Sequence, residues 1–221
     1  MIHRPRMANF LTTDIYGITG EEFSAGRSNI EVVRQLLAAG VKIIQYREKA
    51  KEARDMYEEC LALREMTTRA GATFIVNDRV DLAMMVAADG VHVGQEDLPP
   101  GRVRELVGAD MLVGLSTHTP ETARAAENLA GIIDYIGVGP VYATGTKKDA
   151  SAPTGLELVA YVTKNIKLPF VAIGGIKEGN IGDVRRHGAQ VIALISDLVG
   201  APDIAAKVRA LRAELAEDTH R

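Results

Sequence analysis

The stretch Val41-Lys42-Ile43-Ile44-Gln45-Tyr46-Arg47-Glu48-Lys49 decides the fold. Its first half is apolar and β-branched and follows Gly40, the pattern of a buried strand. An amphipathic segment of helical period occupies residues 52–70, and a second β-branched run at 73–77 follows Gly71. Strand, helix and strand in that order, with near-continuous apolar strands, form the unit of a parallel sheet covered by helices. The same alternation extends in both directions. Apolar runs lie at 14–19, 41–47, 73–77, 90–94, 112–116, 135–139, 170–174 and 191–196. Helical segments are expected at 29–39, 52–70, 80–87, 102–107, 121–129, 156–165, 181–187 and 203–216. Gly40, Gly71, Gly90 and Gly188 fall just after helices, where a left-handed residue closes the last turn. Pro120 and Pro202 stand at helix starts, where a missing N–H costs nothing.

Eight such units on 221 residues predict an α/β protein, a single (β/α)8 TIM barrel. An open doubly wound sheet uses the same elements, but no GxGxxG loop follows the first strand. No Pro/Ser-rich linker or charge block divides the chain. Residues 1–221 are therefore read as one barrel domain, with 1–12 as an N-terminal extension.

Composition narrows the chemistry. The 26 basic and 29 acidic residues leave a net charge of −3, which removes the electrostatic case for a nucleic-acid partner. The balance does not argue against a local cationic pocket. Cys60 is the single cysteine, so no internal disulfide can form and nothing points to an oxidising compartment. No apolar run approaches the roughly 18 residues of a membrane span. The basic start Met1-Ile2-His3-Arg4-Pro5-Arg6 is not followed by an apolar segment in signal-peptide register. A cytoplasmic protein acting on small molecules is expected, without a membrane or nucleic-acid partner. A homodimer stays open.

In a barrel, chemistry gathers where the strands end at their carboxyl side. The second strand ends in Gln45, Arg47 and Lys49, which share one face by the period of two. An amide and two cations aimed into a barrel mouth suit an anion. The third strand ends in Asn77-Asp78 and the fourth runs into Gly94-Gln95-Glu96-Asp97. Carboxylates on neighbouring strand ends can share a hard cation, and Mg²⁺ takes one or two of them together with phosphate oxygens and water. Glu96 is the alternative ligand to Asp97. Asp78 could instead pair with Arg79 or cap the next helix.

The fifth strand ends in Ser116-Thr117-His118-Thr119. Thr119 is placed as a helix cap before Pro120, which leaves Ser116 for a ligand. His118 has no carboxylate partner visible in the sequence. The segment after the sixth strand, residues 140–150, is long for a barrel and carries Thr144, Gly145, Thr146, Lys147 and Lys148. Gly174-Gly175 and Ile195-Ser196 close the seventh and eighth strands, where barrels hold phosphate on backbone N–H groups. Cys60 in mid-helix and Met84-Met85 read as core, and His92, between Val91 and Val93, as a satisfied barrel histidine. Two anionic ligands in one mouth are implied, one of them held with a metal.

Several motifs occur together and in order: QYREK at 45–49, NDRVDLA at 77–83, GVHVGQEDLP at 90–99, GLSTHT at 114–119, GPVYATGTKKD at 139–149 and AIGGI at 172–176. The set resembles the thiamine-phosphate synthase (thiamin-phosphate pyrophosphorylase) family over nearly the whole chain. The resemblance implies Mg²⁺-dependent joining of 4-amino-5-hydroxymethyl-2-methylpyrimidine diphosphate to 4-methyl-5-(2-phosphoethyl)thiazole. Thiamine phosphate and diphosphate are the products, by a dissociative route through a pyrimidine carbocation. It implies that Gln45, Arg47, Lys49 and Asn77 hold the pyrimidine diphosphate, with Tyr46 and Glu48 of the same motif among the substrate contacts. Asp78 and Asp97 would bind Mg²⁺. Ser116 and Lys147 would touch the pyrimidine or its diphosphate, and Arg47, Lys49, Ser116 and Lys147 would serve as the catalytic residues. Thr144, Thr146, Gly175, Ile195 and Ser196 would take the thiazole phosphate. Gly145 between the two threonines and Val191 at the start of the eighth strand depart from the usual family pattern. A thiazole tautomerase, or a non-catalytic regulator binding thiazole phosphate on the same barrel, is the alternative.

Overall fold

Each apolar run pairs in parallel with the next, and the eighth returns to the first. The computed structural model describes residues 7–146 and 152–217. Its strands are β1 (Ile15–Ile18), β2 (Ile43–Tyr46), β3 (Thr73–Asn77), β4 (Gly90–Val93), β5 (Leu112–Thr117), β6 (Tyr135–Val138), β7 (Phe170–Ala172) and β8 (Val191–Leu194), closed into a barrel in sequence order. The helices are α1 (Ala8–Thr12), α2 (Asn29–Ala38), α3 (Ala53–Ala70), α4 (Val80–Met85), α5 (Pro100–Val107), α6 (Pro120–Glu127), α7 (Gly155–Asn165), α8 (Ile181–Arg186), α9 (Ser196–Val199) and α10 (Ile204–Glu217).

Two apolar layers follow from the period of two along each strand. One lies between strands and helices and includes Ile15, Ile44, Phe74, Val91 and Val113. The other fills the barrel interior with Tyr16, Ile43, Ile75, Leu112, Tyr135, Val171 and Val191. Val191, a departure from the family pattern, is thus an interior packing residue. Parallel pairing sets Gln45 beside Ile75, Asn77 beside His92, His92 beside Gly114 and Ser116 beside Gly137. These registers bring the inward residues of β2 to β6 to the same mouth.

The expected elements differ from the observed ones in instructive places. Helix α1 lies inside the segment read as an extension. Its Phe10 is buried against the rings of Tyr16, edge-on at 6.0 Å, and Tyr135 at 4.6 Å, and so closes the barrel floor. Asn9 ties the same helix to Gly71 O at 3.1 Å and Thr73 Oγ1 at 3.0 Å. Gly90 is the first residue of β4 and no helix cap; a Cβ there would press within 2.9 Å of Leu112 O. Met84 and Met85 are not core but are 44% and 63% exposed. The six-residue α4 turns only Val80, Leu82 and Ala83 inward. Thr119 caps α6 as expected, accepting from Thr122 N at 3.2 Å. Among the described residues no helix is long and apolar enough to cross a membrane.

Candidate functional site

The strand ends enclose a cavity of about 760 Å³ at the carboxyl face of the barrel. Gln45, Arg47 and Lys49 all line it, as their shared phase requires. Thr19 at the end of β1 holds this segment: its Oγ1 accepts from Arg47 N at 2.9 Å and donates to Arg47 O at 3.2 Å. Tyr46 and Glu48, half a period out of phase, do not line the cavity. Tyr46 turns outward and its OH donates to Glu59 of α3 at 2.8 Å. Glu48 accepts from Lys49 N at 2.7 Å, Ala50 N at 3.0 Å and Asn29 Nδ2 at 3.3 Å. Both side chains therefore support the strand end and do not line the cavity, although the motif resemblance places them among the substrate contacts.

Asn77, Asp78, Glu96 and Asp97 form the adjoining wall. Asp78 takes the left-handed backbone conformation, φ 60°, which carboxylate and amide residues tolerate better than most. Its N–H donates to His92 O at 2.8 Å, so the unusual turn is pinned by β4. Neither alternative role for Asp78 is realised. Arg79 pairs with Asp81 at 2.6 Å, and α4 has no side-chain cap. The partner of Asp78 is Lys49, whose Nζ donates to Oδ2. Burial pushes the Asp78 carboxyl up; the Lys49 ammonium opposes this, and the charge of Asp97 adds to it. Asp97 Oδ2 accepts from Gly94 N at 2.7 Å.

Two carboxylates close enough to repel, on neighbouring strand ends, are a fitting donor set for a hard divalent cation. Among the described residues no group of three or more His, Cys, Asp and Glu side chains gathers as a metal centre. An ion held by Asp78 and Asp97 would thus complete its shell with water or ligand oxygens, as Mg²⁺ commonly does.

Across the cavity stand the residues of β6 to β8. Thr144 Oγ1 accepts from Thr146 N and donates to Thr146 Oγ1, both at 3.2 Å. Thr146 Oγ1 lies 3.4 Å from Ser196 Oγ. Val141 N and Tyr142 N donate to Ile173 O and Gly174 O, each at 2.9 Å, and so dock this segment on the end of β7. Gly175 has φ 64°, and a Cβ there would lie 2.6 Å from Ala143 O; only glycine permits that approach. Thr144, Gly145, Thr146, Gly175, Ile195 and Ser196 line the cavity together. Lys147, expected as a substrate contact, lies outside the described residues, as does Lys148.

The fifth strand contributes Ser116, which lines the cavity, and His118, whose Nδ1 is 2.6 Å from Gly139 O. Sequence reading missed Tyr16, Tyr135 and Gln95 as cavity residues. Gln95 donates to Ser116 O at 2.6 Å. Tyr16 and Tyr135 stand on inward positions in apolar runs, and that phase was the available signal. His92 is satisfied, as expected, with Tyr135 OH 3.0 Å from Nδ1 and Ser116 Oγ 3.0 Å from Nε2.

The chain also resembles proteins of known name. The family described as thiamine monophosphate synthase matches it over residues 15–198. The thiamine-phosphate synthase of Pelotomaculum thermopropionicum is 63% identical over 213 residues, 96% of this chain and 97% of that protein. That of Caldicellulosiruptor saccharolyticus is 52% identical over 203 residues, 91% of this chain and 90% of that protein. A solved structure, thiamine phosphate pyrophosphorylase from Pyrococcus furiosus, shares the fold with a TM-score of 0.84 and 36% identity, over 93% of this chain and 96% of that one. With a family match spanning most of the barrel and relatives above half identity, the chain belongs to the thiamine monophosphate synthase family and is a transferase.

Proposed function

We propose that the chain joins 4-amino-5-hydroxymethyl-2-methylpyrimidine diphosphate to 4-methyl-5-(2-phosphoethyl)thiazole, with Mg²⁺, giving thiamine phosphate and diphosphate. The observation that carries this reading is the division of one cavity into two anion-suited walls. Lys49, Arg47, Asp78 and Asp97 follow the ends of β2 to β4, and Thr144, Thr146, Gly175 and Ser196 follow those of β6 to β8.

Arg47 and Lys49 neutralise the leaving diphosphate, and Gln45, Asn77 and Ser116 orient the pyrimidine. Thr144, Thr146, Gly175, Ile195 and Ser196 hold the thiazole phosphate so that its ring nitrogen faces the pyrimidine methylene. Asp78 and Asp97 would hold Mg²⁺, which when bound supplies charge neutralisation to the diphosphate oxygens. The methylene C–O bond breaks with both electrons leaving on diphosphate. The thiazole nitrogen lone pair then forms the new C–N bond. No proton leaves the nucleophile, so the step needs no general base.

The test mixes purified protein with both substrates, with and without Mg²⁺, and follows diphosphate release and thiamine phosphate formation. Metal-dependent appearance of both products is expected. A folded protein that forms neither product would overturn the reading and direct the next assay to metal-free thiazole isomerisation.

A further inference from the structure

A continuous chain of hydrogen bonds crosses the barrel interior from Gln45 to Ser116. Gln45 Nε2 donates to Tyr16 OH at 2.8 Å, and the hydroxyls of Tyr16 and Tyr135 are 3.1 Å apart. Tyr135 OH is 3.0 Å from His92 Nδ1, and His92 Nε2 is 3.0 Å from Ser116 Oγ. Tyr16 and Tyr135 are only 2% and 1% exposed, so the middle of the chain is buried in the barrel. Room for the chain is built into the strands. A Cβ at Gly114 would overlap the Tyr135 ring and His92 Nδ1, and one at Gly137 would lie 3.2 Å from His92 Cε1.

Counting protons gives the chain a direction. A phenol has one O–H to donate. Tyr16 already accepts from Gln45, so an arrangement that uses every hydroxyl proton within the chain sends its own to Tyr135. In that arrangement Tyr135 donates to His92 Nδ1, which is then a bare acceptor. The ring is the neutral Nε2–H tautomer, and Nε2–H donates to Ser116 Oγ. Ser116, having accepted, keeps its own O–H to donate, and it lines the cavity. Gln45, having committed an N–H to Tyr16, offers Oε1. The reverse arrangement runs every bond the other way and turns the Gln45 amide over.

We propose that Tyr16, Tyr135 and His92 are positioning residues that leave the Ser116 O–H free to donate and set the orientation of the Gln45 amide, and so favour an aminopyrimidine over an oxopyrimidine. This rests on the function proposed above, and it names what that function would discriminate. An aminopyrimidine presents a ring-nitrogen acceptor beside an amino donor, complementary to Ser116 O–H and Gln45 Oε1. An oxopyrimidine presents the opposite pair, N–H beside C=O. Its C=O would face Gln45 Oε1, acceptor against acceptor, leaving buried polar groups unpaired.

Two measurements test this. The first is a long-range ¹H–¹⁵N correlation on ligand-free, ¹⁵N-histidine-labelled protein, with the His92 signal identified by its loss in His92→Gln. Neutral His92 with the proton on Nε2 is expected; a proton on Nδ1, or on both nitrogens, overturns the relay. The second compares binding of the pyrimidine diphosphate with that of its 4-oxo analogue by calorimetry. Wild type is expected to favour the amino compound by roughly 100-fold or more. His92→Gln, whose amide can face its carbonyl to Tyr135 and its N–H to Ser116, should keep most of that preference. Tyr135→Phe, close in shape but without the relaying hydroxyl, should lose it, as should His92→Leu. The KM for the thiazole phosphate should not move in any of them. An unchanged preference in Tyr135→Phe and His92→Leu overturns the proposal. Folded wild type that makes no thiamine phosphate but shows Nε2–H His92 rejects the condensation and keeps the relay. Full activity with Nδ1–H does the reverse.

Discussion

Lys49 and Asp78 form an ion pair across the ends of β2 and β3, at the rim of the cavity. Each is also a proposed ligand, Lys49 for diphosphate and Asp78 for Mg²⁺. In the ligand-free protein each occupies the other. Burial already disfavours the Asp78 charge; Lys49 relieves this and Asp97 aggravates it. A diphosphate arriving with a dication would give both residues better-matched partners at once. Substrate and metal should therefore strengthen one another's binding.

Removal of either carboxylate should expose that coupling. Asp78→Ala and Asp97→Ala are each expected to lower kcat/KM by at least about 100-fold and to shift the Mg²⁺ titration upward. Steady-state rates against Mg²⁺ concentration check this. Unchanged titration curves in both variants would contradict the metal assignment.

Thr146 marks the other wall. Thr146→Val keeps the shape but removes a hydroxyl 3.4 Å from Ser196 Oγ. A lost hydrogen bond to a charged phosphate is worth about 1.5–3 kcal/mol, or roughly a 10- to 100-fold rise in KM for the thiazole phosphate. The KM for the pyrimidine diphosphate should stay put. Selective loss of pyrimidine affinity would mean that the two walls are assigned the wrong way round.

Phe10→Ala should open a cavity under Tyr16 and Tyr135, because Phe10 is buried against both rings. The expected cost is about 3 kcal/mol, or a fall of roughly 6–12 °C in Tm for a chain of this size. Differential scanning calorimetry measures it. An unchanged Tm would show that α1 does not plug the floor in solution.

Cys60 is fully buried in α3, and burial, with the charge of Glu59 adding, pushes its thiol up to about 12. At pH 8 the folded protein should resist iodoacetamide, and unfolded protein should label readily. The sign for stability follows from linkage. The folded state favours the protonated thiol, so this contribution is complete below the ordinary thiol value near 9.0 and is lost as pH rises toward about 12. Mass spectrometry after timed labelling, and denaturation at rising pH, read the two effects. Rapid native labelling at pH 8 would contradict the burial.

The legible parts of the fold were those carried by local chemistry. Eight β-branched runs each became a strand, and Thr119 before Pro120 became the cap of α6. Strand phase placed Gln45, Arg47 and Lys49 in one cavity and turned the side chains of Tyr46 and Glu48 out of it. Met84 and Met85 misled because hydrophobicity gives affinity for a core but not the direction in which a six-residue helix turns them.

By itself the sequence determined the strand count, the inward and outward phase of each strand, and the residue types waiting at its end, because these follow from spacing along the chain. Only the tertiary structure decided which residues meet across the barrel. Lys49 on Asp78, Thr146 near Ser196, Phe10 beneath two tyrosines and the relay from Gln45 to Ser116 each join residues far apart in sequence. Barrel closure and strand register set those distances, and no local pattern encodes them.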